Sequence, residues 1–120
     1  MDERILLVEI EYSIRRSYRE ELERYGYQVT ATNEREKAID KLKDERFDLV
    51  VVDLESSENA EIEYLQRIIR ADRNVKVVLN SDNRTTELDF RSWVADALLV
   101  LQNPTLLRHT IEEVLNSNHA

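Results

Sequence analysis

The chain has 120 residues, room for one domain with a core of its own. Seventeen basic against 25 acidic residues leave a net charge of −8, which opposes binding to nucleic acid or anionic membranes through the general field. No cysteine occurs, so disulfides and thiolate metal sites are excluded, and no apolar stretch approaches the ~18 residues of a membrane span.

Apolar runs and amphipathic stretches alternate every roughly 20 to 25 residues, as short βα units do. The acidic start, Met1-Asp2-Glu3-Arg4, is unlike a signal peptide and points to a cytoplasmic protein. It leads into a first strand, Arg4–Glu9. A first helix follows, with Ile14, Tyr18, Leu22 and Tyr25 on its buried face; it stops at Gly26, the only glycine, as a left-handed cap. Its charged residues Arg15, Arg16, Arg19, Glu20, Glu21, Glu23 and Arg24 read as a solvated face with local ion pairs. Tyr27–Ala31 is the second strand. The second helix starts near Asn33, with Glu36 completing a capping box, and buries Ala38, Ile39 and Leu42.

The third strand, Asp48–Asp53, contains the most apolar run of the chain, Leu49-Val50-Val51-Val52, the mark of a strand buried on both faces. A third helix carries Ile62, Leu65, Ile68 and Ile69, and a fourth strand spans Val75–Asn80. A short, poorly patterned helix over Thr86–Val94 has Leu88, Phe90 and Trp93 as its apolar residues. Phe90 and Trp93 read first as core, with an exposed partner anchor as the other reading. Ala97–Leu101 is the fifth strand. The last helix opens with Asn103 as cap and Pro104 at its first position, and its stripe is Leu106, Leu107, Thr110, Ile111, Val114 and Leu115. His109 and His119 fall in this helix and the tail, with no catalytic role. Five βα units in this length give a doubly wound sheet. Asp53 then stands at the carboxyl edge of that sheet, where ligands and chemistry gather in open α/β folds.

Taken in order, several segments resemble a response-regulator receiver domain, the module that accepts a phosphoryl group from a histidine kinase. They are Ile5-Leu6-Leu7-Val8-Glu9-Ile10-Glu11, Ile14-Arg15, Gly26-Tyr27, Phe47 to Leu54, Ile62-Glu63-Tyr64-Leu65 with Ile68, and Ala95-Asp96-Ala97. The resemblance runs from Arg4 to Asn116 and makes residues 1–120 a single receiver-like domain, which implies an α/β, flavodoxin-like, doubly wound (βα)5 fold with a five-stranded parallel sheet in the order 2-1-3-4-5. It implies Asp53 as phospho-acceptor, Glu9 as the first acidic position, and Ser81 as the hydroxyl that senses the phosphoryl group. It also implies a magnesium ion held by Glu9 and Asp53. Phosphoryl transfer spreads charge over three oxygens, which such an ion offsets.

The departures from the family are as informative. Ile10 replaces the second metal-ligating acid, and Glu11 is one residue out of place. Leu101 replaces the lysine that ends the fifth strand, Gln102 the proline after it, and Leu98 the aromatic switch residue. No lysine follows Lys76. Ser56-Ser57 and Glu61 replace a Met-Pro pair and a glycine, and the stretch between Ser81 and Ala95 is shorter than the family's. Magnesium binding is therefore expected to be weak or lost. The expected role is a non-enzymatic, atypical receiver that works through protein contacts. Its partner would be a histidine kinase or an output protein, or a second copy meeting it through the Thr86–Leu115 side. Neither nucleic acid nor membrane is a direct partner. The competing expectation is a working phospho-acceptor with a rebuilt site, helped by Arg84 or Glu11. A small-ligand binder is a third, disfavoured by the lack of a Gly-rich phosphate loop. Blander roles are also open: Asp53 as a helix cap, Glu9 as an acceptor for backbone N–H groups, and Ser81 as a loop residue.

Overall fold

A computed structural model describes residues 3–53, 58–80, 96–99 and 103–117. In chain order the elements are β1 (Arg4–Val8), α1 (Tyr12–Arg24), β2 (Gln28–Thr32), α2 (Arg35–Asp44), β3 (Leu49–Asp53), α3 (Glu58–Ala71), β4 (Lys76–Asn80), β5 (Ala97–Leu99) and α4 (Pro104–Asn116). The strands form one parallel sheet in the order β2-β1-β3-β4-β5, the order that the resemblance implies. The ends of β1 to β4 differ from the expected ones by at most one residue, and Leu101, the expected end of β5, lies outside the described residues. The helix expected over Thr86–Val94, with Phe90 and Trp93, lies outside the described residues.

The two-residue period of a strand sorts the sheet into two faces. Ile5, Leu7, Leu49, Val51 and Val78 pack beneath α1 and α4, against Tyr18, Leu22, Leu107, Ile111 and Val114. Leu6, Val8, Val50, Val52, Val77 and Leu79 face α2 and α3, meeting Ala38, Ile39, Leu42, Leu65 and Ile68. With both faces covered, the unbroken Val/Leu runs of β3 and β4 are what the sheet requires. The order reverses between β1 and β3, and a crevice at such a switch point is where doubly wound folds place their chemistry.

Local features agree with the sequence at some points and correct it at others. Gly26 has a φ of 96°, the left-handed conformation that ends α1. Asn103 Oδ1 accepts from the Leu106 N–H at 3.1 Å, and Pro104 opens α4. The capping box at Asn33 and Glu36 is not formed. The helix starts two residues later, Thr32 Oγ1 accepts the Glu34 N–H at 3.1 Å, and Glu36 is drawn to Arg67 on α3 at 2.6 and 2.7 Å. Tyr25 is exposed rather than buried, because it lies past the last turn of α1 with its ring against the Arg108 guanidinium. Leu106 likewise stands out to solvent.

The polar face of α1 carries the expected pairs Arg16–Glu20 and Arg19–Glu23. Two of its members do otherwise. Arg15 turns back to donate to the carbonyls of Glu9 and Ile10 at 2.9 and 3.1 Å. Glu21 is buried between helices, accepting from Arg108 Nε at 2.8 Å.

Two aspartates pin the amino-terminal edge of the sheet. Asp48 Oδ2 accepts the Arg4 N–H at 2.8 Å while the Asp48 N–H donates to the Arg4 carbonyl at 2.9 Å. Asp96 repeats the pattern with Val77, at 2.8 and 2.7 Å.

Candidate functional site

The carboxyl edge brings Glu9, Asp53 and Asn80 side by side. Val8 is paired with Val52, so Glu9 follows abreast of Asp53, and Asp53 is itself paired with Asn80. Parallel neighbours lie about 4.8 Å apart. By strand parity Glu9 continues Ile5 and Leu7, Asp53 continues Leu49 and Val51, and Asn80 continues Val78, so all three belong to the α1 side. Ser81, next in the chain, lies outside the described residues, as do Arg84, Leu101 and Gln102.

Glu9 is almost wholly buried. Its Oε2 accepts the Glu11 N–H at 3.1 Å, its side chain hydrogen-bonds with Asp53, and its Oε1 has no partner. Burial raises its pKa above 4.5; the Glu11 N–H, the bond to Asp53 and the Arg15 charge oppose that only in part.

The neighbours of Glu9 do not rebuild the missing ligand. Ile10 is 49% exposed at the mouth of the site. Glu11 faces away and caps α1, its Oε1 accepting from the Ser13 N–H and hydroxyl at 3.2 and 2.9 Å. These bonds also lower its pKa, so it stays ionised where it is. In this arrangement Glu11 serves as the cap of α1 and is not turned towards Asp53.

Asp53 is half-buried at the end of β3, and its backbone carbonyl accepts from Arg35 Nη2 at 2.9 Å. The Arg35 guanidinium lies 4.6 Å above the Tyr64 ring, and the Tyr64 hydroxyl donates to the Arg35 carbonyl at 2.9 Å. On the other side, Tyr18 reaches under the strand ends from α1, its hydroxyl 2.6 Å from the Asn80 amide, where Nδ2 donates. The Tyr18 pKa is pushed up to about 12, mainly by burial, with the charges of Glu9 and Asp53 adding to it. Neither Arg35 nor the Tyr18–Asn80 pair stands out in the sequence. Asn80 has one signal: it is a lone polar residue ending an apolar strand, in step with Asp53.

A magnesium ion needs hard oxygen ligands in an octahedron. The unpartnered Glu9 Oε1 and the Asp53 carboxyl are of the right chemistry, but Ile10 supplies nothing and Glu11 is turned away. Among the described residues no group of three or more His, Cys, Asp or Glu is placed to hold a metal ion. The residues present fit the ion poorly. An open groove of about 740 Å³ lies at the opposite edge of the sheet, beside Asp48, Asp72, Arg73 and Asp96. Asp48 and Asp96 are engaged there by strand N–H groups, and the groove has no part in this site.

Comparison with known proteins shows the family to which the chain belongs. The family model of the response regulator receiver domain matches residues 5–115. The chain is 30% identical over 111 residues to the response regulator receiver protein CpdR of Brucella abortus (strain 2308), covering 92% of each. It superposes with a TM-score of 0.81 on the response regulator TrrA of Thermotoga maritima, solved in complex with Mg2+-BeF. The identity is 28%, over 93% of this chain and 98% of that one. TrrA in complex with the histidine kinase ThkA also matches, with a TM-score of 0.79, 28% identity and coverage of 95% and 99%.

Proposed function

Because the chain belongs to the response-regulator receiver family of two-component systems, we propose that it is an atypical receiver acting through protein–protein contacts, with weak or no magnesium-dependent phosphorylation at Asp53. Receiver domains are signalling modules rather than enzymes, and they generally bind Mg2+ at the phosphorylation site. The observation that carries the proposal is the treatment of the acids here. Glu9 is turned onto Asp53, Ile10 stands exposed where a ligand would be, and Glu11 caps a helix. A missing electrostatic contact at a developing phosphoryl charge typically costs a few kcal/mol in the transition state. At about 1.4 kcal/mol per tenfold, losing a ligand carboxylate and a cation lowers transfer by several powers of ten.

A contact role is supported by the rim of the site. Ile10, Tyr12 and Leu106 are all exposed, on the loop after β1 and on the first turns of α1 and α4. Apolar and aromatic groups of this kind anchor interfaces. The partner we propose is a histidine kinase or an output protein, in the cytoplasm. A second copy docking through the Thr86–Leu115 side, of which residues 96–99 and 103–115 are described, is the homomeric form of the same role. No helix among the described residues is long and apolar enough to cross a membrane.

A second reading keeps Asp53 as a working acceptor in a rebuilt site, with Ser81 as the sensing hydroxyl. The Arg35 guanidinium at the end of β3 favours it, since it brings positive charge to the acceptor strand. Titration with magnesium and beryllofluoride, followed by backbone NMR around Asp53, separates the two. Saturable shifts that vanish in Asp53→Asn establish the acceptor, and no response at millimolar reagent upholds the contact role.

A further inference from the structure

Asn80 is wholly buried, and its Oδ1 has no hydrogen-bond partner. Its surroundings are rich in acceptors. Asp53 is paired with it across β3 and β4, and Glu9, one strand further, has an unpartnered oxygen of its own. An unbonded carbonyl oxygen beside carboxyl groups is the less favourable of the two ways to seat a carboxamide.

The contact with Tyr18 points the same way. Its 2.6 Å separation falls within the range of O–H···O bonds and short of the ~2.7 Å at which N–H···O bonds begin. The two ends of a carboxamide have nearly the same shape and are told apart by the bonds they make. Tyr18 has a proton to give, since burial and the nearby acids keep its phenol protonated.

We propose that the Asn80 amide is seated so that the Tyr18 hydroxyl donates to Oδ1 and the amide NH2 donates to the Asp53 carboxyl. A half-turn about the bond between Cβ and Cγ gives this arrangement. It satisfies the orphaned oxygen and places a neutral donor beside Asp53. Asn80 is then a binding residue of the site, and Tyr18 is the positioning residue behind it. The assignment holds whether or not Asp53 takes a phosphoryl group.

The test is NMR of the full chain labelled with 15N-asparagine, following the Asn80 side-chain NH2. One of its two protons is expected downfield and slow to exchange. Asp53→Ala moves that proton upfield and speeds its exchange about tenfold or more, the factor that one hydrogen bond to a carboxylate supports. Asp53→Asn, which keeps the size and an acceptor oxygen, moves it part of the way. Tyr18→Phe shifts both NH2 signals while the backbone amides of β4 stay in place. If the NH2 signals stay put in Asp53→Ala, with the backbone signals of β1 and β3 reporting an intact fold, the proposal is overturned. A water bridging Oδ1 to the acids would give that result.

Discussion

The Arg35 guanidinium donates to the backbone carbonyl of Asp53 at 2.9 Å, fastening the first turn of α2 to the end of β3. Its stacking on Tyr64, and the bond the Tyr64 hydroxyl returns, extend the fastening to α3. Arg35→Ala removes a charge-assisted bond and a cation–π contact together, and is expected to cost about 2 kcal/mol in urea unfolding. Arg35→Lys keeps the charge but not the planar fork, and recovers less than half of the loss.

Glu9 makes stability depend on pH in a definite sense. Its folded pKa is raised above 4.5, mainly by burial, so the folded protein holds this proton more tightly than the unfolded chain. The stabilisation is fully present below the unfolded value and is lost as pH rises through the folded one. Glu9→Gln stays neutral throughout and can still accept the Glu11 N–H. The variant is expected to be more stable than the parent at neutral pH. The advantage shrinks to nothing in acid. Thermal melts of both proteins across that range check the direction.

Glu21 and Arg108 join α1 to α4 in a setting where each is almost buried. Arg108 also meets Glu112 at 3.0 Å and the Tyr25 ring at 3.7 Å. Removing one partner strands the other's charge, whereas removing both leaves an apolar contact. Arg108→Ala should lower the urea midpoint more than the double change Glu21→Leu with Arg108→Met.

Gly26, at a φ of 96°, is where a side chain is costly. Gly26→Ala is expected to destabilise by about 1 kcal/mol in the same unfolding measurement. Gly26→Asn should cost less, since asparagine tolerates the left-handed region.

Much of the fold was legible because it follows from period and punctuation. The Val run of β3, the glycine after α1 and the Asn103-Pro104 start of α4 are local signals, and the structure follows them. Errors came where a distant group outcompeted a local one. Glu36 satisfies the capping pattern on paper, but Arg67 on α3 holds it instead. Glu21 looks like part of a solvated face until Arg108, 87 residues later, folds against it. At the site, strand ends made Glu9 and Asp53 legible. The Tyr18–Asn80 pair was not, because the partnership spans 62 residues and joins a helix position that reads as core to a lone polar residue at the end of an apolar strand.

Asp48 and Asp96 each exchange two bonds with the neighbouring strand, at the edge remote from Asp53. The β1–β3 and β4–β5 seams are therefore stitched by side chains as well as by backbone at that end. The sheet is bound like a book along its spine. Amide exchange is expected to be slow along this stitched edge, at Arg4 and Val77, whose N–H groups the two carboxylates hold. The spine thus preserves the strand register on which the alignment of Glu9, Asp53 and Asn80 at the opposite margin depends.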